Sequence, residues 1–70
     1  MERKAVSSSN IAAIGYDSTT MVLEVEFNNG SIYEYYDVPE GIYLDFINAA
    51  SVGSFLHSSI KGNFSYTRTQ

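Results

Sequence analysis

Between Met21 and Phe27 the chain alternates with a period of two: Leu23, Val25 and Phe27 fall on one side of an extended backbone, Val22, Glu24 and Glu26 on the other. This is the pattern of a half-buried antiparallel strand. Asn28-Asn29-Gly30 follows, three residues that tolerate positive φ, and Ser31 to Asp37 returns as a tyrosine-rich strand. The segment is therefore read as a β-hairpin, and the rest of the chain must fit around it.

Loop length sets which way Tyr33 and Tyr35 point. A two-residue turn at Asn29-Gly30 would pair Glu26 with Tyr33, put both tyrosines on the glutamate side and send Glu34 toward the core. A three-residue loop with Gly30 in the left-handed region would pair Val25 with Tyr33 and Leu23 with Tyr35. That register gives one apolar face and one acidic face, and sets Glu24 opposite Glu34 at a cost of up to about 1 kcal/mol. Burying Glu34 unpaired costs roughly several kcal/mol, so the three-residue loop is favoured.

Around the hairpin, Ile11 to Asp17 reads as an opening strand closed by the turn-prone Asp17-Ser18-Thr19-Thr20. Asp37-Val38-Pro39-Glu40 resembles a capping box with Asp37 as the capping acid. The following Ile42, Tyr43, Phe46, Ile47 and Ala50 have helical spacing. Ser51 is placed to cap a second helix carrying Val52, Phe55, Leu56, Ser59 and Ile60, with His57 and Lys61 on its outer face and Gly62 as a left-handed stop. Phe64 to Thr67 alternates again and offers a last strand. The fold class expected is α+β: a small antiparallel sheet, the hairpin plus flanking strands, packed against two short helices. Residues 1–8 are polar and serine-rich and read as a disordered tail, 9–67 as the single domain, and 68–70 as a frayed end.

A chain of 70 residues makes one small domain with a modest core. With no cysteine, stability must come from packing or self-association, so a homodimer is an open expectation. Met1-Glu2-Arg3-Lys4 is not followed by the apolar region of a signal peptide, and no apolar run reaches bilayer length. A soluble, cytoplasmic protein without a membrane partner is expected.

Charge is segregated along the chain. Residues 5–45 hold seven acids and no Lys or Arg; beyond Asp45 there are only Lys61, Arg68 and the single His57. An anion-binding surface is therefore expected near the C-terminus. No nucleophile is tied to His57 by spacing, Glu24 and Glu26 lack the setting of a cation loop, and neither Gly30-Ser31 nor Gly53-Ser54 matches a phosphate-binding pattern. No enzyme, metal or cofactor is expected. Lys61-Gly62-Asn63-Phe64-Ser65-Tyr66 has the Lys-Gly start and alternating aromatics of the RNP1 motif of RNA-binding sheets, but departs from it at the third and fourth positions. Its aromatics beside cations suit base stacking, or else they close the core beneath the hairpin.

The order of segments resembles one family. Ser9-Asn10-Ile11, Ile14-Gly15-Tyr16-Asp17, Leu23-Glu24-Val25-Glu26-Phe27, Asn29-Gly30, Tyr33-Glu34-Tyr35, Val38-Pro39, Ser51-Val52-Gly53-Ser54-Phe55 and Lys61-Gly62 resemble the KTSC domain. That module occurs at the C-terminus of some lysyl-tRNA synthetases and as small bacterial or phage proteins. The resemblance maps the family's central Tyr-x-Tyr motif onto Tyr33 and Tyr35, and it implies RNA binding rather than an established activity. Two expectations follow. In one, Tyr33, Tyr35, Lys61, Tyr66 and Arg68 meet single-stranded RNA or tRNA. In the other, exposed Tyr36, Val22 and Ile32, or a free strand edge, meets a protein partner or a second copy.

Overall fold

The computed structural model describes residues 2–70. Its elements in chain order are β1 (Arg3–Ala5), β2 (Ile11–Asp17), β3 (Val22–Phe27), β4 (Ile32–Tyr35), α1 (Glu40–Ile47), α2 (Val52–Phe55), a π-helical turn over Leu56–Ile60, and β5 (Tyr66–Arg68). The strands form one antiparallel sheet in the order β1-β2-β3-β4-β5, the last returning to the free edge of β4 after the helices. This is the α+β arrangement expected.

The hairpin adopts the three-residue loop. Leu23 pairs with Tyr35, Glu24 with Glu34 and Val25 with Tyr33, while Gly30 sits at φ 91°. Leu23, Val25 and Tyr35 consequently share the buried face with Ile11 and Ile14 of β2. Plain alternation would put Ile11 and Ile14 on opposite sides. A register shift between Ile11 and Ala13 brings both inward, as a β-bulge does. Val38, Phe46, Val52, Leu56 and Ile60 close the core from the helical side. Phe46 is fully buried and stacks on Phe55 with ring centroids 5.6 Å apart.

Helix α2 begins as the sequence indicates, with Ser51 Oγ accepting from the Ser54 N–H at 3.3 Å. Four-residue steps along an α-helix drift forward around the axis, because a turn holds only 3.6 residues. The wider π turn, closed by Lys61 N–H donating to the Leu56 carbonyl at 2.8 Å, reverses that drift. Val52, Leu56 and Ile60 therefore all face the core, and Gly62 then ends the element at φ 83°.

Four expectations are corrected. First, the disordered tail expected over residues 1–8 is in part a strand: Arg3, Lys4 and Ala5 pair with Gly15, Ile14 and Ala13, while Met1 lies outside the described residues. The reason lies on the outer face. Arg3 donates through Nε to Glu24 and through Nη1 to Glu26 at 2.9 Å, which anchors the edge strand and offsets the like charges on β3. The path across β2 is open because Gly15 lies between Arg3 and Glu24 in the register. Second, residues 68–70 are not frayed: Arg68 is in β5, Thr69 N–H donates to the Ile32 carbonyl at 2.8 Å, and Ile32 N–H donates to the Gln70 carbonyl at 2.9 Å. Third, Asp37 does not cap α1. It takes φ 58°, a left-handed turn that drives Val38 into the core, and Pro39 precedes the helix without a side-chain cap. Ala50 lies beyond the end of α1 and is exposed. Fourth, Tyr36, Val22 and Ile32 are not an exposed outer patch. Ile32 is buried, the other two are half-buried, and Tyr36 Oη donates to Glu34 at 3.3 Å.

Phe46→Ala is expected to lower stability by about 3–5 kcal/mol in urea unfolding, since it empties the centre of a small core. Arg3→Met should cost under about 1 kcal/mol, because the pair is partly solvated, and should reduce the dependence of stability on salt.

Candidate nucleic-acid interface

The parity of the hairpin carries Tyr33 and Tyr35 to the helical side of the sheet, where β5 extends the same surface. Tyr66 pairs with Tyr35 and Arg68 with Tyr33, so all four residues lie on one face. Lys61 and Gly62, which follow the π turn, form part of the remaining wall. Between the walls is an open cleft of about 600 Å³ lined by Phe27, Asn29, Ser31, Tyr33, Tyr35, Lys61, Gly62 and Tyr66. That volume is in the range of small-ligand sites.

Four of the five residues singled out from the sequence thus meet in one cleft: Tyr33, Tyr35, Lys61 and Tyr66. Their roles differ. Tyr66 is 59% exposed and Tyr33 half-buried, whereas Tyr35 is only 2% exposed and belongs to the core. Tyr66 lies between the other two, with ring centroids 5.6 Å from Tyr33 and 5.7 Å from Tyr35. Phe27 meets Tyr33 edge-on at 5.5 Å and completes the aromatic wall. Phe64 packs half-buried against the core outside this wall, so of the two aromatics in the RNP1-like segment only Tyr66 reaches the cleft. Arg68 stands beside Tyr33 by register, outside the cleft wall, with Nε donated to the Gln70 carbonyl at 3.0 Å.

Phe27, Asn29, Ser31 and Gly62 also line the cleft, and none was singled out from the sequence as a site residue. For Asn29 a signal existed: an Asn two residues before a Ser in a turn is the pattern in which the side chain bonds the later N–H. Asn29 Oδ1 accepts from the Ser31 N–H at 3.0 Å and from Ser31 Oγ at 2.7 Å. Among the described residues the ion pairs are those of Arg3 with Glu24 and Glu26, so Lys4, Lys61 and Arg68 have no Asp or Glu partner. Among the same residues, no three His, Asp or Glu side chains are grouped to hold a metal ion, and no helix is long and apolar enough to cross a membrane.

The family model of the KTSC domain matches residues 7–64. The chain belongs to the KTSC domain family. It is 47% identical over 58 residues to a lysine–tRNA ligase of Nostoc sp., a match covering 83% of this chain and 10% of the enzyme. The chain thus spans about a tenth of the ligases it matches. It is also 39% identical over 59 residues to a protein of Tsukamurella paurometabola, covering 84% of this chain and 88% of that one. The crystal structure of a KTSC domain protein from Yersinia pestis superposes with a TM-score of 0.93 at 40% identity, covering 99% and 97% of the two chains.

Burial sets the acidity of two tyrosines in this KTSC domain. Tyr35 is raised above the ordinary value of 10.0, first by desolvation and then by the neighbouring phenols of Tyr33 and Tyr66. Tyr16 is raised by desolvation, with Glu40 and Asp17 adding to it. Its ring stacks on Tyr43 at 4.8 Å, and its hydroxyl donates to the Val38 carbonyl. A tyrosine that is harder to ionise folded than unfolded contributes stability fully present below the unfolded pKa and lost as pH rises through the folded one. Urea unfolding across the alkaline range should therefore show stability falling above about pH 10. Tyr35→Phe should make that fall shallower.

Proposed function

We propose that this KTSC domain is a non-catalytic binding module that takes single-stranded RNA in the tyrosine cleft. Tyr66 and Tyr33 serve as the stacking surface, Lys61 and Arg68 meet phosphates, and Tyr35 supports the wall from the core. The observation that carries this reading is the meeting of an exposed tyrosine with an uncommitted lysine across an open aromatic cleft. Base stacking needs an aromatic face that water can leave, and a nearby cation holds the backbone.

The distribution of charge supports it. The chain is net negative, with formal charge -4, so its long-range field repels phosphate and any binding must be local. Register sets Glu24, Glu34 and Glu26 on the sheet face opposite the tyrosines, and Arg3 engages two of them there. The occurrence of similar segments in lysine–tRNA ligases makes tRNA, at a single-stranded loop or end, the RNA we favour. The cytoplasm is the setting this ligand implies. Aminoacylation is not carried over with the resemblance, since the matched region is a tenth of those enzymes.

The test is a titration of short single-stranded RNA followed by backbone amide shifts and fluorescence anisotropy. Tyr66→Ala should weaken binding by about 5- to 150-fold, the equivalent of ~1–3 kcal/mol per stacked base, while leaving the fold unchanged because the ring is exposed. Lys61→Glu should abolish measurable binding. With two phosphate contacts, the slope of log K against log salt should be about -1.4. Absence of shifts in the cleft at low salt would overturn the proposal and turn attention to protein partners at the free edges of β1 and β5.

A further inference from the structure

The polar groups of the cleft have a fixed sense that bears on which base it takes. Both hydrogen bonds in which Ser31 is donor end on Asn29 Oδ1, at 3.0 and 2.7 Å. A backbone N–H only donates, so the oxygen of the amide is the end turned toward Ser31. Ser31 is itself 7% exposed, which protects these bonds from competing water. The Nδ2 amino group is left as the free end of Asn29, with two donors and no partner among the described residues, on an exposed residue that lines both the cleft and the neighbouring groove formed with Ser9, Asn10, Phe27 and Asn28. Lys61, which also lines the cleft, likewise only donates. The tyrosine hydroxyls can donate or accept and impose no sense of their own.

A base held against Tyr33 and Tyr66 would meet donors at its edge if it turned that edge toward Asn29 and Lys61, which line the same cleft. The major-groove edge of guanine presents two adjacent acceptors, N7 and O6, whereas the same edge of adenine sets an amino donor beside its one acceptor. That amino group would face the Asn29 donors and stay unpaired, which costs more than a missing attraction. We propose that Asn29 is the specificity-determining residue of the cleft and that it selects guanine over adenine in single-stranded RNA. The inference rests on the RNA reading given above.

Fluorescence anisotropy with the pentamers UUGUU and UUAUU tests it. The guanine pentamer should bind roughly tenfold more tightly, and replacing its guanine with 7-deazaguanine, which removes the N7 acceptor, should lose most of that gain. Asn29→Asp retains an oxygen for Ser31, so the turn is kept, but presents an acceptor where the donors were. The variant should bind both pentamers more weakly through its charge, and its guanine-to-adenine ratio should fall to about one or invert. Equal binding of the two pentamers, a 7-deaza pentamer as tight as the parent, or an unchanged ratio in Asn29→Asp would each overturn the assignment. If Tyr66→Ala still weakened both pentamers, RNA binding in the cleft would stand without it. Failure of both pentamers to bind would remove the RNA reading and the assignment together.

Discussion

The register of the β3–β4 hairpin is the constraint on which the remainder of the structure depends. One residue more or less in the loop exchanges the two faces of β4. Gly30, in the left-handed region, permits the three-residue loop, and that loop delivers Tyr35 to the core and Glu34 to the outer face. The same choice puts Tyr33 beside Val25, from where it reaches the cleft. Core, acidic face and candidate site all follow from this single parity.

The favoured register creates an electrostatic difficulty, because Glu24 opposes Glu34 and shares its face with Glu26. Arg3 relieves it from two strands away, reaching over the position where Gly15 has no side chain to block it. A segment that looks dispensable by composition therefore compensates the hairpin. The consequence extends to the cleft: with Glu24 and Glu26 engaged by Arg3 on the outer face, Lys61 and Arg68 beside the tyrosines have no Asp or Glu partners among the described residues.

Legibility in the sequence followed the strength of local signals. The hairpin, its parity, the Ser51 cap and the Gly62 stop were readable because each depends on residues within a few positions of one another. β1 was not: Arg3, Lys4 and Ala5 carry no apolar alternation, and their strand exists only because β2 offers an edge and β3 offers two carboxylates. Asp37 has the chemistry of a cap, yet burial of Val38 outweighs it. Ile11 and Ile14 were visible as apolar, but the bulge that turns both inward has no local signature. At the cleft, Lys61 and Tyr66 were singled out from the RNP1-like segment and Tyr33 and Tyr35 from the hairpin and the Tyr-x-Tyr resemblance, whereas Phe27 looked like ordinary core and Asn29 like ordinary turn.

The two tyrosines of the Tyr-x-Tyr pair show how one motif contributes both to the core and to the cleft wall. Strand geometry puts Tyr33 and Tyr35 on the same face, so parity cannot distinguish them. Position along the sheet does. Tyr35 lies opposite Leu23, under the helices, and is excluded from water; Tyr33 lies opposite Val25, nearer the hairpin end, where Phe27 meets it edge-on and the helices leave the cleft open. Tyr66 packs against both rings from the edge strand and is exposed because β5 has no further neighbour. The buried ring of Tyr35 holds half-buried Tyr33 and exposed Tyr66 in place, and under the proposed reading this preorganisation would lower the entropy lost if a base stacked on them. In a domain with so small a core, building the aromatic wall of the cleft out of the core's own edge is what allows 70 residues to supply both a core and a cleft.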